Sequence, residues 1–199
     1  MLKKYFQKHQ VESGCDEAGR GCLAGPVYAA AVILPHDFRN ELLNDSKKLS
    51  VRQREALFPI IIEASIAHGI GSATVEEINS IGILNATRLA MQRAIEALNP
   101  QPHALIIDAV KLPQVPLPQS VFNFADSISL SVAAASIIAK VTRDRMLIEL
   151  DARYPDYHFA RHKGYGTAIH QAALQSIGPC AIHRLTFKPI AALIDQHSL

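Results

Sequence analysis

Two adjacent carboxylates, Asp16 and Glu17, stand between a strand-like lead-in, Val11 to Cys15, and the glycine-bracketed arginine Gly19-Arg20-Gly21. Neither glycine carries a Cβ, so backbone there can approach a ligand closely. The chain turns apolar again at once, in Cys22-Leu23-Ala24-Gly25-Pro26-Val27. That places the acidic pair at the edge of a core rather than on a surface turn, where it would serve as a metal site or an acid/base site.

Further acids follow the same pattern. Ala104-Leu105-Ile106-Ile107 is a short apolar strand ending in Asp108, and strand-like Val121-Phe122-Asn123-Phe124 is closed by Asp126. In α/β sheets, sites collect beyond the C-terminal ends of strands. If these strands are neighbours, four carboxylates converge, and oxygen ligands of that kind suit a hard cation such as Mg²⁺ or Mn²⁺. Without an ion they would repel and raise one another's pKa values. The plainer reading is four unrelated acids at turns and helix caps.

The elements that must position these groups read as α/β. Val27 to Leu34 is a continuous apolar run ended by Pro35, suited to a strand covered on both faces and paired with the acidic strand in an early hairpin. Ser50 is placed to cap a helix through Leu57, with Lys47 and Lys48 beside its start as candidate phosphate contacts or a merely solvated pair. Ile66 to Val75 reads as a third strand. Glu76-Glu77-Ile78 opens a helical region that runs through Ile83 and Met91 to Leu98 and ends at Asn99-Pro100. Leu112 to Gln119, with three prolines, is a loop. Ser127 to Tyr154 is the longest helix, its small and apolar first half destined for burial. From Pro155 the tail is basic and rich in histidine, and it is too short for a core of its own. The expectation is one domain over residues 1–199, with about 155–199 as a helical subregion packed on the core.

Composition is compatible with all of this. The chain has 199 residues, 49% of them hydrophobic and 19% charged, with a net charge of +2, which permits a nucleic-acid partner without demanding one. Met1-Leu2-Lys3-Lys4-Tyr5 has lysines but no apolar segment after them, and no run reaches ~18 apolar residues, so neither export nor a membrane is expected. Cys15, Cys22 and Cys180 are odd in number and lack C-x-x-C spacing, which fits free thiols in a reducing cytoplasm. His158 and His162 at i, i+4, with His170 beyond, invite a zinc reading. Tyr154-Pro155-Asp156-Tyr157 breaks the helix that this needs, and no cysteine lies nearby, so polar surface or phosphate contacts are preferred.

Asp16-Glu17-Ala18-Gly19-Arg20-Gly21 followed by Leu23-Ala24-Gly25-Pro26-Val27 resembles the signature of bacterial ribonuclease HII. So, in the same order, do Asp45-Ser46-Lys47-Lys48-Leu49-Ser50, Ile83-Leu84-Asn85-Ala86-Thr87, Ala133 to Val141, and His162-Lys163-Gly164-Tyr165-Gly166-Thr167. The resemblance runs from residue 11 to 189 and implies a ribonuclease H-like fold: a mixed sheet of about five strands flanked by helices, with a helical C-terminal extension. It also implies that Asp16, Glu17, Asp108 and Asp126 are catalytic carboxylates holding two divalent ions, Mg²⁺ or Mn²⁺. Gly19, Arg20 and Gly21 would read the ribonucleotide and Tyr165 would pack on its sugar, with Lys47, Lys48, Asn85 and Lys163 among the substrate-binding residues. Where many members have Lys-Gly before the fourth acid and Asp-Gly-Asn at the third, this chain has Phe124-Ala125 and Asp108-Ala109-Val110. The related ribonuclease HIII is disfavoured, since only fifteen residues precede Asp16 and the Gly-Arg-Gly element is present.

The implied activity is hydrolysis of the RNA strand of RNA/DNA hybrids and nicking 5′ of single ribonucleotides in duplex DNA, giving 3′-hydroxyl and 5′-phosphate ends. Its place would be ribonucleotide excision and replication, with no obligate protein partner. Two rivals remain open on the residues alone. A glycoside hydrolase also uses paired carboxylates but usually needs aromatic sugar platforms, and the chain has no tryptophan. A non-catalytic nucleic-acid-binding module would find its acids a liability against phosphate unless a metal neutralised them.

Overall fold

The computed structural model describes residues 2–6, 11–43 and 49–197, so Lys47 and Lys48 lie outside the described residues. Strand β1 (Glu12–Ala18) runs on through both acids, further than the Val11–Cys15 reading. It pairs antiparallel with β2 (Val27–Ile33), which pairs antiparallel with β3 (Ala67–Ala73). On its other side β1 runs parallel to β4 (Ala104–Asp108), and β4 parallel to β5 (Gln119–Phe122). The sheet order is therefore β3-β2-β1-β4-β5. Alternate residues of β2 are buried in two different core clusters, Ala29 and Ala31 in one and Ala30 and Val32 in the other, so both faces are covered and Val27–Ile33 carries no polar alternation.

Helices supply the cover. The first, α1 (Val51–Ala64), starts at a capping box in which Gln53 N–H donates to Ser50 Oγ at 3.3 Å and Ser50 N–H to Gln53 Oε1 at 2.8 Å. The second, α2 (Val75–Glu96), is boxed in the same way by Thr74 and Glu77 and breaks sharply at Gly82 (φ 77°, ψ 157°). The break lets Arg93 reach back to Glu77 in a two-pronged ion pair of 2.7 and 3.0 Å, which a straight helix of that span could not close. Helix α3 (Leu130–Asp151), capped by Ser129, is the longest unbroken helix among the described residues. Its buried stretch through Ile137 and Ile138 joins β2 and α1 in one core cluster, while α2 covers the opposite face with Cys15, Leu105 and Ile107. Each such side chain withdrawn fully from water contributes about 1.5–3 kcal/mol.

Helix α3 lies almost in contact with the β1 backbone. A Cβ built on Gly14 would fall 2.2 Å from the Ser131 carbonyl carbon, so only glycine permits this approach. After α3 come a 3-10 turn (Pro155–Tyr157), then α4 (Phe159–His162), α5 (Ala168–Ile177) and α6 (Lys188–His197). Their apolar residues gather around Phe159 and take in Leu23, Ala24 and Leu147 from the body, which supplies the core that the tail lacks.

Candidate active site

The parallel register aligns Cys15 with Ile107, so Asp16 and Asp108, one residue on, come side by side at the ends of adjacent strands. Glu17, next along β1, reaches the same point: carboxylate oxygens of Asp16, Glu17 and Asp108 all lie within 4.8 Å of one another. Asp126 stands outside that tight set. It follows β5 by four residues, in a 3-10 turn (Ala125–Ser127) entered through Phe124 at φ 60°, rather than closing the strand itself. Asp108 anchors this turn by accepting the Ala125 N–H at 2.6 Å, and Asp126 is buried, close enough for its charge to act on Asp16.

The electrostatics are those of a crowded anion site. Burial, and then the charges of Glu17 and Asp108, push the Asp16 carboxyl well above the ordinary aspartate range, with Asp126 adding to the effect. The Glu17 carboxyl is raised by burial and held back by Arg20, whose Nη1 lies 3.1 Å from Glu17 Oε1. Its other oxygen, Oε2, is buried with no hydrogen-bond partner. An oxygen-only donor set in which the Asp16 and Glu17 carboxyls are raised and one buried oxygen is orphaned fits a hard divalent cation, which would relieve both faults.

The acids open into a cavity of about 220 Å³ lined also by Gly19, Arg20, Gly21 and Tyr165. Tyr165 is 41% exposed, and Lys140 Nζ stands 5.3 Å from its ring centroid. Burial is the main cause that pushes its phenol up to about 12. Gly19 and Gly21 turn out to differ. A Cβ on Gly21 would meet open space, whereas one on Gly19 (φ +93°) would lie 1.9 Å from Arg143 Nε, so Gly19 yields room inward, to the protein itself.

Other expected residues lie apart from this cavity. Asn85 is exposed on α2, bonded to Arg88 and the Ile81 carbonyl, and lines a different shallow pocket. Lys163 donates its Nζ to the Ala160 carbonyl, and its own carbonyl is held by Arg143. The histidines are corrected more sharply. His158 is exposed, but His162 and His170 are buried and stacked at 4.3 Å, with His183 beside them. They form a hydrogen-bonded network rather than a surface or a zinc site.

Residues that the sequence reading passed over also line the cavity. Arg54 comes from α1, and Ser136 and Lys140 from α3. Ser136 Oγ is buried without a partner. Ser136 and Lys140 share one face of α3, four residues apart, which was the available signal.

A family profile described as Ribonuclease HII matches residues 13–190. The chain belongs to the ribonuclease HII family. Curated ribonucleases HII resemble it over most of their length. That of Syntrophotalea carbinolica is 51% identical over 178 residues, covering 89% of this chain and 85% of the relative. That of Dehalococcoides mccartyi is 48% identical over 186 residues, covering 92% and 88%. Solved structures agree on the fold. The ribonuclease H2 of Pyrococcus horikoshii superposes with a TM-score of 0.79 at 24% identity, covering 94% of this chain and 98% of that one. The ribonuclease HII of Archaeoglobus fulgidus, solved in complex with PCNA, gives 0.73 at 24% identity, covering 89% and 95%.

As a ribonuclease HII, the chain is a nuclease of the ribonuclease H type that acts on RNA/DNA hybrids, and the carbohydrate and non-catalytic readings fall away. No helix among the described residues is long and apolar enough to cross a membrane.

Proposed function

We propose that this ribonuclease HII works as one catalytic domain, nicks duplex DNA 5′ of a single embedded ribonucleotide and cleaves the RNA strand of longer hybrids, leaving 3′-hydroxyl and 5′-phosphate ends. The observation that carries this reading is the shared cavity: three crowded acids and the Gly19-Arg20-Gly21 loop with Tyr165 line the same 220 Å³ space. Phosphodiester chemistry and recognition of the sugar beside it need that adjacency.

Asp16, Glu17 and Asp108 would hold one divalent ion, and Asp126 with its neighbours a second, Mg²⁺ and Mn²⁺ both being suited to oxygen ligands. Bound ions supply an activated water nucleophile and neutralise charge at the leaving 3′ oxygen during in-line displacement. The protein's own groups do the rest. Glu17 is kept in place by Arg20 and Asp16 by its bond from the Glu17 N–H at 2.7 Å. Lys140, paired with Asp144 at 2.7 Å, puts a cation over the Tyr165 ring at the cavity wall, where a phosphate would be drawn in. The 2′-hydroxyl distinguishes RNA from DNA at a given position, and the Gly21 backbone, open on its Cα side, can come within hydrogen-bonding range of it.

The test is cleavage of an all-DNA duplex bearing one ribonucleotide, with labelled ends. Purified protein should nick it on the 5′ side with Mg²⁺ or Mn²⁺, lose all activity in EDTA and regain it on adding back metal. An intact duplex in the presence of either metal would overturn the reading.

A further inference from the structure

Arg143 on α3 and Arg184 after α5 are both 0% exposed and are among the largest fully buried side chains of the molecule. Neither is in any of the described salt bridges. Their donors go to backbone carbonyls instead. Arg143 gives Nε to Pro26 at 3.0 Å, Nη1 to Lys163 at 2.9 Å and Nη2 to Ala24 at 3.0 Å. Arg184 gives Nε to Gly25 at 2.9 Å, Nη1 to Arg20 at 2.9 Å and Nη2 to Gly19 at 2.7 Å. Burying one guanidinium without a counter-ion is unfavourable, and a second beside it adds repulsion. The Arg184 group is accordingly pushed down to about 10, chiefly by burial, with the Arg143 charge contributing. Six carbonyl dipoles offset this, and all six belong to two segments, residues 19–26 and the turn before Tyr165.

Backbone bonds complete the joint. Leu23 N–H donates to the Gly164 carbonyl at 2.8 Å and Arg184 N–H to the Leu23 carbonyl at 2.9 Å. Gly164 approaches so closely that a Cβ there would sit 2.5 Å from the Ala24 oxygen. Within a trans peptide unit the C=O and N–H point in opposite directions. With the Gly19 and Arg20 carbonyls drawn onto Arg184, the N–H groups of Arg20 and Gly21 are turned away from it, on a loop that lines the active cavity.

We propose that Arg143 and Arg184 are positioning residues for ribonucleotide selection, fixing the Gly19-Arg20-Gly21 loop and the Tyr165 turn as one rigid surface with the loop's donors facing substrate. This rests on the reading above that the loop and Tyr165 recognise the 2′-hydroxyl. Neither arginine touches substrate or metal; each acts through the carbonyls it holds. Lysine preserves the charge but cannot reproduce a three-pronged guanidinium contact, so it separates charge from geometry.

The experiment compares kcat/KM on two duplexes, one with a single ribonucleotide and one with a 2′-deoxy-2′-fluoro residue at the same position, for wild type, Arg184→Lys, Arg143→Lys and Tyr165→Phe. The ribo/fluoro ratio should fall roughly tenfold in both lysine variants, as for loss of one hydrogen bond in a closed site, and fall also in Tyr165→Phe. Parallel losses on both substrates, with an unchanged ratio, would make the arginines merely structural and overturn the proposal. An unchanged ratio in Tyr165→Phe alone would instead overturn the recognition reading beneath it. Should both lysine variants fail to fold, amide exchange in the wild-type protein decides. Arg20 and Gly21 amides exchanging freely while both arginine Nε–H groups are protected supports the clamp, and protected Arg20 and Gly21 amides sink it.

Discussion

The Nε2 atoms of His170 and His183 lie 3.0 Å apart, both rings fully buried, and only one of them can carry the proton between them. The surrounding bonds fix which one. Cys180 N–H donates to His183 Nδ1 at 2.9 Å, so His183 carries its proton on Nε2 and gives it to His170 Nε2. His170 then carries its own on Nδ1, donated to the Tyr165 carbonyl at 3.0 Å. His162 stands alongside with the Nε2 proton, bonded to the Tyr157 carbonyl at 2.7 Å.

Neutral histidines are therefore built into the support of the Tyr165 turn. Burial pushes His170 and His183 down to about 4, their proximity to one another or to His162 adding to it, and lowers His162 as well. Since the unfolded chain takes up these protons near pH 6.5, the network stabilises the fold fully above that value and its contribution is lost as pH falls toward about 4. The acid cluster acts in the opposite sense, because protonation relieves its repulsion. Ring titration by NMR is therefore the check: His170 should show the Nδ1–H tautomer, His162 and His183 the Nε2–H tautomer, and His170 and His183 should still be neutral at pH 5.5. A charged His183 ring at pH 5.5 would contradict the network.

Asp16→Asn should abolish turnover and leave the metal-free protein more stable. Asparagine keeps an oxygen to accept the Glu17 N–H, while one charge is removed from a site where three acids repel. A gain of about 1 kcal/mol corresponds to a rise of roughly 2–4 °C in Tm for a chain of this size. Addition of Mg²⁺ should raise the wild-type Tm and leave that of the variant nearly unmoved. A large drop in apo Tm would mean that Asp16 is structural.

Tyr165→Ala should lose roughly ten- to a hundredfold in rate on a single-ribonucleotide duplex and melt close to wild type, since the residue is 41% exposed. Parallel calorimetry and single-turnover kinetics test both halves. A variant that melts far below wild type, or that loses no rate, would assign the ring to packing.

Gly14→Ala places a methyl group 2.2 Å from the Ser131 backbone and must push α3 off β1. A destabilisation on the order of 3 kcal/mol or more is expected from overpacking against backbone that cannot yield. Because α3 also carries Ser136, Lys140 and Arg143, activity should fall even at temperatures where the variant stays folded. Denaturant melts and activity at low temperature measure the two effects; a near-neutral variant would show that α3 can shift freely.

Much of this molecule is legible in the chain itself wherever the deciding contacts are local. The cap at Ser50 needs only Gln53 three residues on, the end of β2 needs only Pro35, and the apolar run before Asp108 marks a buried strand without reference to any other. The acids too were visible as types and positions, though not the earlier exit of Asp126 from β5. What only the tertiary structure decided are relations between distant segments. Asp16 and Asp108 meet because β1 and β4 are parallel neighbours in one particular register, a choice that no short window encodes. Gly19 looks like a ligand-facing glycine in sequence and proves to make room for Arg143, which lies on a helix more than a hundred residues further along the chain. Arg143, Arg184 and the buried histidines read as ordinary polar residues of a basic tail and helix because their partners are carbonyls and rings remote in sequence. Side-chain type sets what a group can bond to, and packing alone sets what it finds there.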